Sequence, residues 1–182
     1  MRLHLGCGKR HIPGFVHVDL ADFPHIDHRC GIDALPMFSD GTAELIYCSH
    51  AFEYFDRLQV PEVLKEWRRV LRPGGVLRLA VPDVGALIRV YSATGKLEEI
   101  LGPLYGRIVP DPKRPDQILY HRTAYDFRSL ERVLSDSGFH SVQRYDWRET
   151  THRDHDDYAQ AYKPHLDREK GIHISLNVEA LR

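Results

Sequence analysis

The chain lacks a membrane-length apolar run, paired cysteines and any excess of charge, and each absence removes a class of protein. No stretch approaches the roughly 18 apolar residues of a spanning helix. No signal peptide is recognisable ahead of the apolar alternation that starts at Leu3. Three cysteines, Cys7, Cys30 and Cys48, are too few and too scattered for a disulfide framework or a C-x-x-C motif. They read as free thiols in a reducing compartment, so the expected localisation is cytoplasmic. Lys and Arg number 25 against 26 Asp and Glu. That balance offers no basic face to a nucleic acid and no pull toward an acidic membrane. Repeats, low-complexity tracts and linkers are also missing. The 182 residues are therefore expected to form a single domain, 1–182.

What is present is a succession of short strands. Arg2–Leu5 (RLHL) and Phe15–Leu20 (FVHVDL) alternate with period two, as half-buried strands do. About ten residues separate them, enough for a turn and at most a helical stub, because Pro13-Gly14 interrupts the run. A weaker strand is expected near Ile26–Ile32. Ala43–Ser49 (AELIYCS) reads as a strand buried on both faces. Val60–Arg72 places Val60, Val63, Leu64, Trp67, Val70 and Leu71 at helical spacing, with Pro61 in the first turn and Pro73-Gly74-Gly75 as the stop. Val76–Val81 is the next strand. Residues 84–125 carry two weak helical patterns and a proline-rich middle, Pro110–Pro115. Asp126 can cap a helix ending near Gly138. Val142–Trp147 and His173–Leu181 are read as the last strands. This order predicts a doubly wound α/β fold with a mostly parallel sheet.

Two features carry chemistry. The first strand runs straight into Gly6-Cys7-Gly8, where the lack of side chains lets the backbone turn sharply and lets a ligand lie on it. A structural turn would use the same residues, and the third glycine of the dinucleotide fingerprint is absent. Asp19 ends the second strand, where a carboxylate can accept hydrogen bonds from both hydroxyls of a ribose.

The run HLGCGKRHIPGFVHVDL resembles the first two motifs of class I S-adenosylmethionine-dependent methyltransferases. AELIYCSHAFEYF followed by VLKEWRRVLRPGGVLRLAVPD resembles the fourth strand, helix and fifth strand of the type-11 subgroup. The resemblance implies a Rossmann-like, seven-stranded-type sheet with its last strand antiparallel. It implies S-adenosylmethionine as cofactor and S-adenosylhomocysteine as product. By it, Gly6 and Gly8 pass the methionine portion, Asp19 takes the ribose, Ile32 and Asp33 flank the adenine, His50 faces the transferred methyl, and Cys7 and Ser49 also belong to the cofactor site. A looser similarity, through PDVGALIRVY and YDWRETTHRDHDDYAQAY, is to short methyltransferases of bacterial surface polysaccharides. The implied acceptor is a small molecule such as a sugar hydroxyl or a sugar-linked group, with a homodimer left open. Two departures stand out: the helix between the glycine loop and Asp19 is stunted, and the family's N-terminal capping helices are absent. Cap insertions are therefore expected in 84–125 and 150–171.

Methyl transfer from a sulfonium needs alignment, exclusion of water and, for a hydroxyl acceptor, a base. His50 and His155 are the expected catalytic residues. Glu53, Tyr54, Asp154, Asp157 and Tyr158 are expected to contact the substrate. Plain alternatives exist: His50 as a helix cap, Glu53 and Tyr54 as packing residues, and HRDHDDY (His152–Tyr158) as a solvated loop or a divalent-metal ligand set. The expectation is no metal. His121-Arg122 and Arg144 can grip an anion or be ordinary surface charges. Two rival functions share the motifs, a nicotinamide-binding Rossmann enzyme and a non-catalytic S-adenosylmethionine-binding protein.

Overall fold

The structure, a computed structural model, describes residues 1–111 and 113–182. Pro112, in the proline-rich stretch Pro110–Pro115, lies outside the described residues. Seven strands form one sheet in the order β3-β2-β1-β4-β5-β9-β6. They are β1 (Arg2–Leu5), β2 (Val16–Asp19), β3 (His28–Arg29), β4 (Ala43–Ser49), β5 (Leu71–Pro82), β6 (His140–Arg144) and β9 (Ser175–Leu181). All neighbours run parallel except β9, which is antiparallel to both β5 and β6. The expected sheet, with its last strand reversed, is the one found.

The helices follow from local sequence. In α1 (Val60–Val70), Val60, Val63, Leu64, Trp67 and Val70 are buried and Pro61 sits in the first turn. In α4 (Phe127–Asp136), Asp126 accepts from the Ser129 amide while Ser129 reaches back, closing a capping box. The connector supplies α2 (Val84–Thr94), capped by Asp83, and α3 (Glu98–Tyr105). The main core lies between the sheet and α1 and α4. Leu3, Leu5, Ile46, Cys48, Leu77 and Leu79 meet Trp67, Phe52, Leu130 and Leu134 there.

Several expected boundaries move. Pro73-Gly74-Gly75 does not stop α1; the helix ends at Val70 and those residues lie inside β5, whose register on β4 shifts between Ala43 and Leu45. Trp147 opens a short 3-10 turn and does not extend β6. His173 pairs with Tyr162 in a separate two-stranded ribbon, β7 (Tyr162–Lys163) with β8 (Ile172–His173). The third strand shrinks to two residues.

The opposite face of β1 and β4 is unusual. Successive strand residues point to opposite faces, so His4 and Tyr47, paired in register, lie away from the Leu3 and Ile46 core. Among the described residues no helix connects β1 to β2 over them, because residues 6–15 form turns and loop. Ile12 and Phe15 cover part of this face. The late segment supplies the rest. His152 packs edge-on against Phe15 and 4.4 Å from the Tyr47 ring, centroid to centroid. The Tyr47 hydroxyl donates to the buried Asp157 carboxylate. Thr150, His152, Asp157 and Gln160 are all buried. The alternative of His152–Tyr158 as a solvated loop is therefore corrected for His152 and Asp157: the stunted connection leaves a sheet face open, and these residues fill it. Burial lowers the affinity of His4, His17 and His152 for protons, to about 4 at His152. These imidazoles serve as neutral packing groups.

Candidate active site

A cavity of about 450 Å³ opens beyond the carboxyl ends of β1, β2 and β4. This is where open α/β sheets bind ligands. Its walls include Gly6, Cys7, Gly8, Asp19, Ile32, Asp33, Ser49, His50, Tyr54, Asp157 and Tyr158. All eight residues expected at the cofactor are thus brought to one hollow. Glu53 lies just behind the wall. Asp154 is exposed on another surface hollow, beside Trp147 and Arg148. His155 is half-buried, and its carbonyl accepts from the Gln160 amide. Neither Asp154 nor His155 is among the residues lining the cavity. Packing of His152 and Asp157 against the sheet turns the residues between them away.

The glycine loop is built from the backbone outward. Gly6 and Gly8 adopt φ of 65° and 53°, the left-handed region that costs other residues about 1–2 kcal/mol. A β-carbon on Gly6 would overlap that of Ala51, whereas one on Gly8 would meet nothing within 4 Å. Gly6 therefore lets β1 pack on the segment after β4, and Gly8 leaves open space at the cavity edge. Asp19 braces the loop. One carboxylate oxygen accepts the Gly8 amide and the other the Ala21 amide, both at 2.7 Å. Each oxygen retains a lone pair for a further donor. His25 Nε2 donates to the Gly8 carbonyl at 3.0 Å. The other end of the cavity floor is fixed by α1: Trp67 Nε1 donates to the Ile32 carbonyl and Glu66 accepts the Leu35 amide.

Both segments expected to carry cap insertions reach the cavity. Ile108, Val109, Pro110, Leu119, Tyr120 and Arg122 come from the connector. Its tip is pinned by the buried Asp111 carboxylate, which accepts from Arg29 at 2.9 Å and Arg114 at 3.2 Å. From the late segment, Tyr158 lies 5.4 Å from the His50 ring, and Arg10 stacks on Tyr158 while donating to the Asp156 carbonyl.

His50 holds a left-handed backbone (φ 52°), a conformation rare outside glycine. Its Nε2 lies 3.0 Å from Ser175 Oγ, which in turn donates to Asn177 Oδ1. Asn177 donates to the Ala159 carbonyl, which fixes the direction of the chain. With its own hydrogen committed to Asn177, Ser175 accepts, so His50 carries its proton on Nε2 and presents a bare Nδ1. That nitrogen is 3.5 Å from Glu53 Oε1. On the other side, His121 Nε2 is also 3.5 Å from Oε1. Burial pushes His50 down to about 3 and Glu53 up to about 8. Sequence reasoning missed Ser175, Asn177 and the pairing of Glu53 with His121. Only the charged residue inside the apolar run AFEYF signalled that Glu53 is buried. Arg144 faces Asp83 and the Phe127 ring and is not among the residues lining the cavity. Among the described residues, no group of three or more His, Cys, Asp or Glu is arranged to hold a metal ion, and no helix is long and apolar enough to cross a membrane.

Residues 13–79 match a family described as a methyltransferase domain. No curated protein matches the chain in sequence. Among solved structures, the chain is similar to an S-adenosylmethionine-dependent methyltransferase from Mesorhizobium loti, at 17% identity and a TM-score of 0.53, with 100% of this chain and 90% of that one covered. It is similar to one from Archaeoglobus fulgidus at 15% identity and 0.57, covering 100% and 85%. A third is a possible histamine N-methyltransferase from Thermotoga maritima, at 14% identity and 0.53, covering 99% and 81%. At such identities the structural likeness establishes the fold. Residues 13–79 thus carry the methyltransferase-domain match, and the fold is the one that these S-adenosylmethionine-dependent methyltransferases share.

Proposed function

We propose that this protein transfers a methyl group from S-adenosylmethionine to a small-molecule acceptor, a hydroxyl of a sugar or surface-glycan precursor. One observation carries the reading: a single cavity is lined by a braced glycine loop, Asp19, His50 and Tyr158 together. The residues fit the cofactor. Asp19 has lone pairs to spare for a ribose, Gly8 opens onto free space, and the Ser49 hydroxyl is buried without a partner. When bound, the cofactor supplies an activated methyl with a good leaving group. Gly6 and Gly8 would pass its methionine portion, Asp19 its ribose, and Ile32 with Asp33 its adenine.

The chain's own work is then positional. The connector and late segments cap the cavity and exclude water. In this reading His50, beside Tyr158, takes the proton that the acceptor loses, and Tyr54, Tyr158 and Arg122 offer polar contacts to a polyhydroxylated molecule. Ligand profiling by thermal unfolding tests the cofactor assignment. At one hundred times its dissociation constant, S-adenosylhomocysteine stabilises by about 2.7 kcal/mol, a rise of roughly 5–10 °C for a chain of this size. Nicotinamide dinucleotides should leave the transition where it is. The reverse pattern would replace this reading with a nicotinamide enzyme. Cofactor binding with no turnover across sugar acceptors would point to a binding protein.

A further inference from the structure

Glu53 is the least expected group in the molecule. It is 1% exposed, and neither carboxyl oxygen has a hydrogen-bond partner among the described residues. A buried carboxyl left unpaired costs roughly 1–3 kcal/mol, and more when charged. The two imidazoles beside it, His50 and His121, each lie 3.5 Å from Oε1, and burial lowers the proton affinity of both. The titratable groups facing it are His50 after β4, His121 from the connector, Cys48 of β4, Tyr125, and Tyr54 beside it in sequence. Burial holds the carboxyl neutral up to about pH 8. Its neighbours Ala51 and Tyr54 nonetheless line the cavity, and Ala51 is pressed against Gly6. A group poised in this way waits for a positive charge to arrive next to it.

We propose that Glu53 is the buried counter-charge for the sulfonium of the bound cofactor, a carboxylic acid in the empty site and a carboxylate when the cation is present. The proposal rests on the cofactor reading given above. As the sulfonium enters, the Glu53 O–H bond breaks and its proton leaves to solvent, so the buried site stays neutral. The demethylated product is an uncharged thioether. With it bound, Glu53 takes a proton back from solvent. Product is then held by one charge interaction fewer than cofactor, which favours exchange.

Linkage gives the sign. Below about pH 8 the empty site holds a proton that the cation-bound site does not, so S-adenosylmethionine binding tightens as pH rises toward 8 and levels off above it. Binding of S-adenosylhomocysteine lacks that dependence. The test is calorimetry at pH 7 in two buffers of different ionisation enthalpy, which counts protons released. S-Adenosylmethionine should release roughly one proton more than S-adenosylhomocysteine. In Glu53→Gln the difference should vanish, and S-adenosylmethionine should weaken about tenfold relative to S-adenosylhomocysteine. Equal counts for the two ligands in the unmodified protein overturn the inference without any variant. So does a difference that survives in Glu53→Gln. If both ligands bind with equal counts, the cofactor reading stands and only this inference falls. If neither binds, both are overturned.

Discussion

Asp19→Ala is expected to lower the affinity for S-adenosylhomocysteine by at least tenfold, and by about a hundredfold if two ribose hydroxyls are bound. A hydrogen bond to a charged acceptor contributes roughly 1.5–3 kcal/mol. The substitution also frees the Gly8 and Ala21 amides, each held at 2.7 Å, and so loosens the glycine loop itself. Asp19→Asn separates the two effects. It keeps one acceptor oxygen while removing the charge, so part of the bracing survives. Isothermal titration of the folded variants measures both losses. Wild-type affinity in folded Asp19→Ala would remove the ribose assignment.

The second large effect is on turnover. His50→Ala should leave S-adenosylhomocysteine affinity within about threefold while methyl transfer falls by roughly 10²–10⁴-fold, the usual value of a positioned base. The geometry explains the separation. The ring is anchored through Ser175 and Asn177 to the Ala159 carbonyl, on the acceptor side of the cavity. Asp19, which braces the glycine loop, takes no part in that anchor. Transfer from radiolabelled S-adenosylmethionine to a sugar panel is the readout. Turnover within about threefold of wild type would show that His50 only shapes the loop after β4.

Much of this was legible because local rules and the fold agree. The β4 boundaries follow from its apolar run, and α1 from five core residues at helical spacing. The start of α4 follows from Asp126, whose capping box is short-range chemistry. The glycine loop and Asp19 were legible for the same reason: they sit at strand termini, and strand termini are readable by period. The rest of the cavity wall was not. It is assembled from residues 49–55, 108–110, 119–122 and 157–158, and only tertiary packing decides which of their side chains meet.

The late segment shows the limit most clearly. Its polarity suggested a solvated or substrate-binding loop. The deciding fact is instead a vacancy on the far face of β1 and β4, created by a connection too short for a helix. His4, His17 and Tyr47 point into that vacancy, and His152 and Asp157 answer them. A polar strand face opposite a polar segment is a pairing that a one-dimensional pattern does not display. Glu53 and His121 are the same problem in miniature, 68 residues apart in sequence and 3.5 Å apart from Oε1 to Nε2.

The most direct measurement is a crystal structure with S-adenosylhomocysteine at saturating concentration. The expected complex has the adenine beside Ile32 and Asp33, the ribose hydroxyls on the Asp19 carboxylate, the homocysteine over Gly6 and Gly8, and the sulfur facing His50 and Tyr158. A ligand seated elsewhere, such as the surface hollow beside Trp147 and Arg148, or a cavity still empty at saturation, would contradict the account.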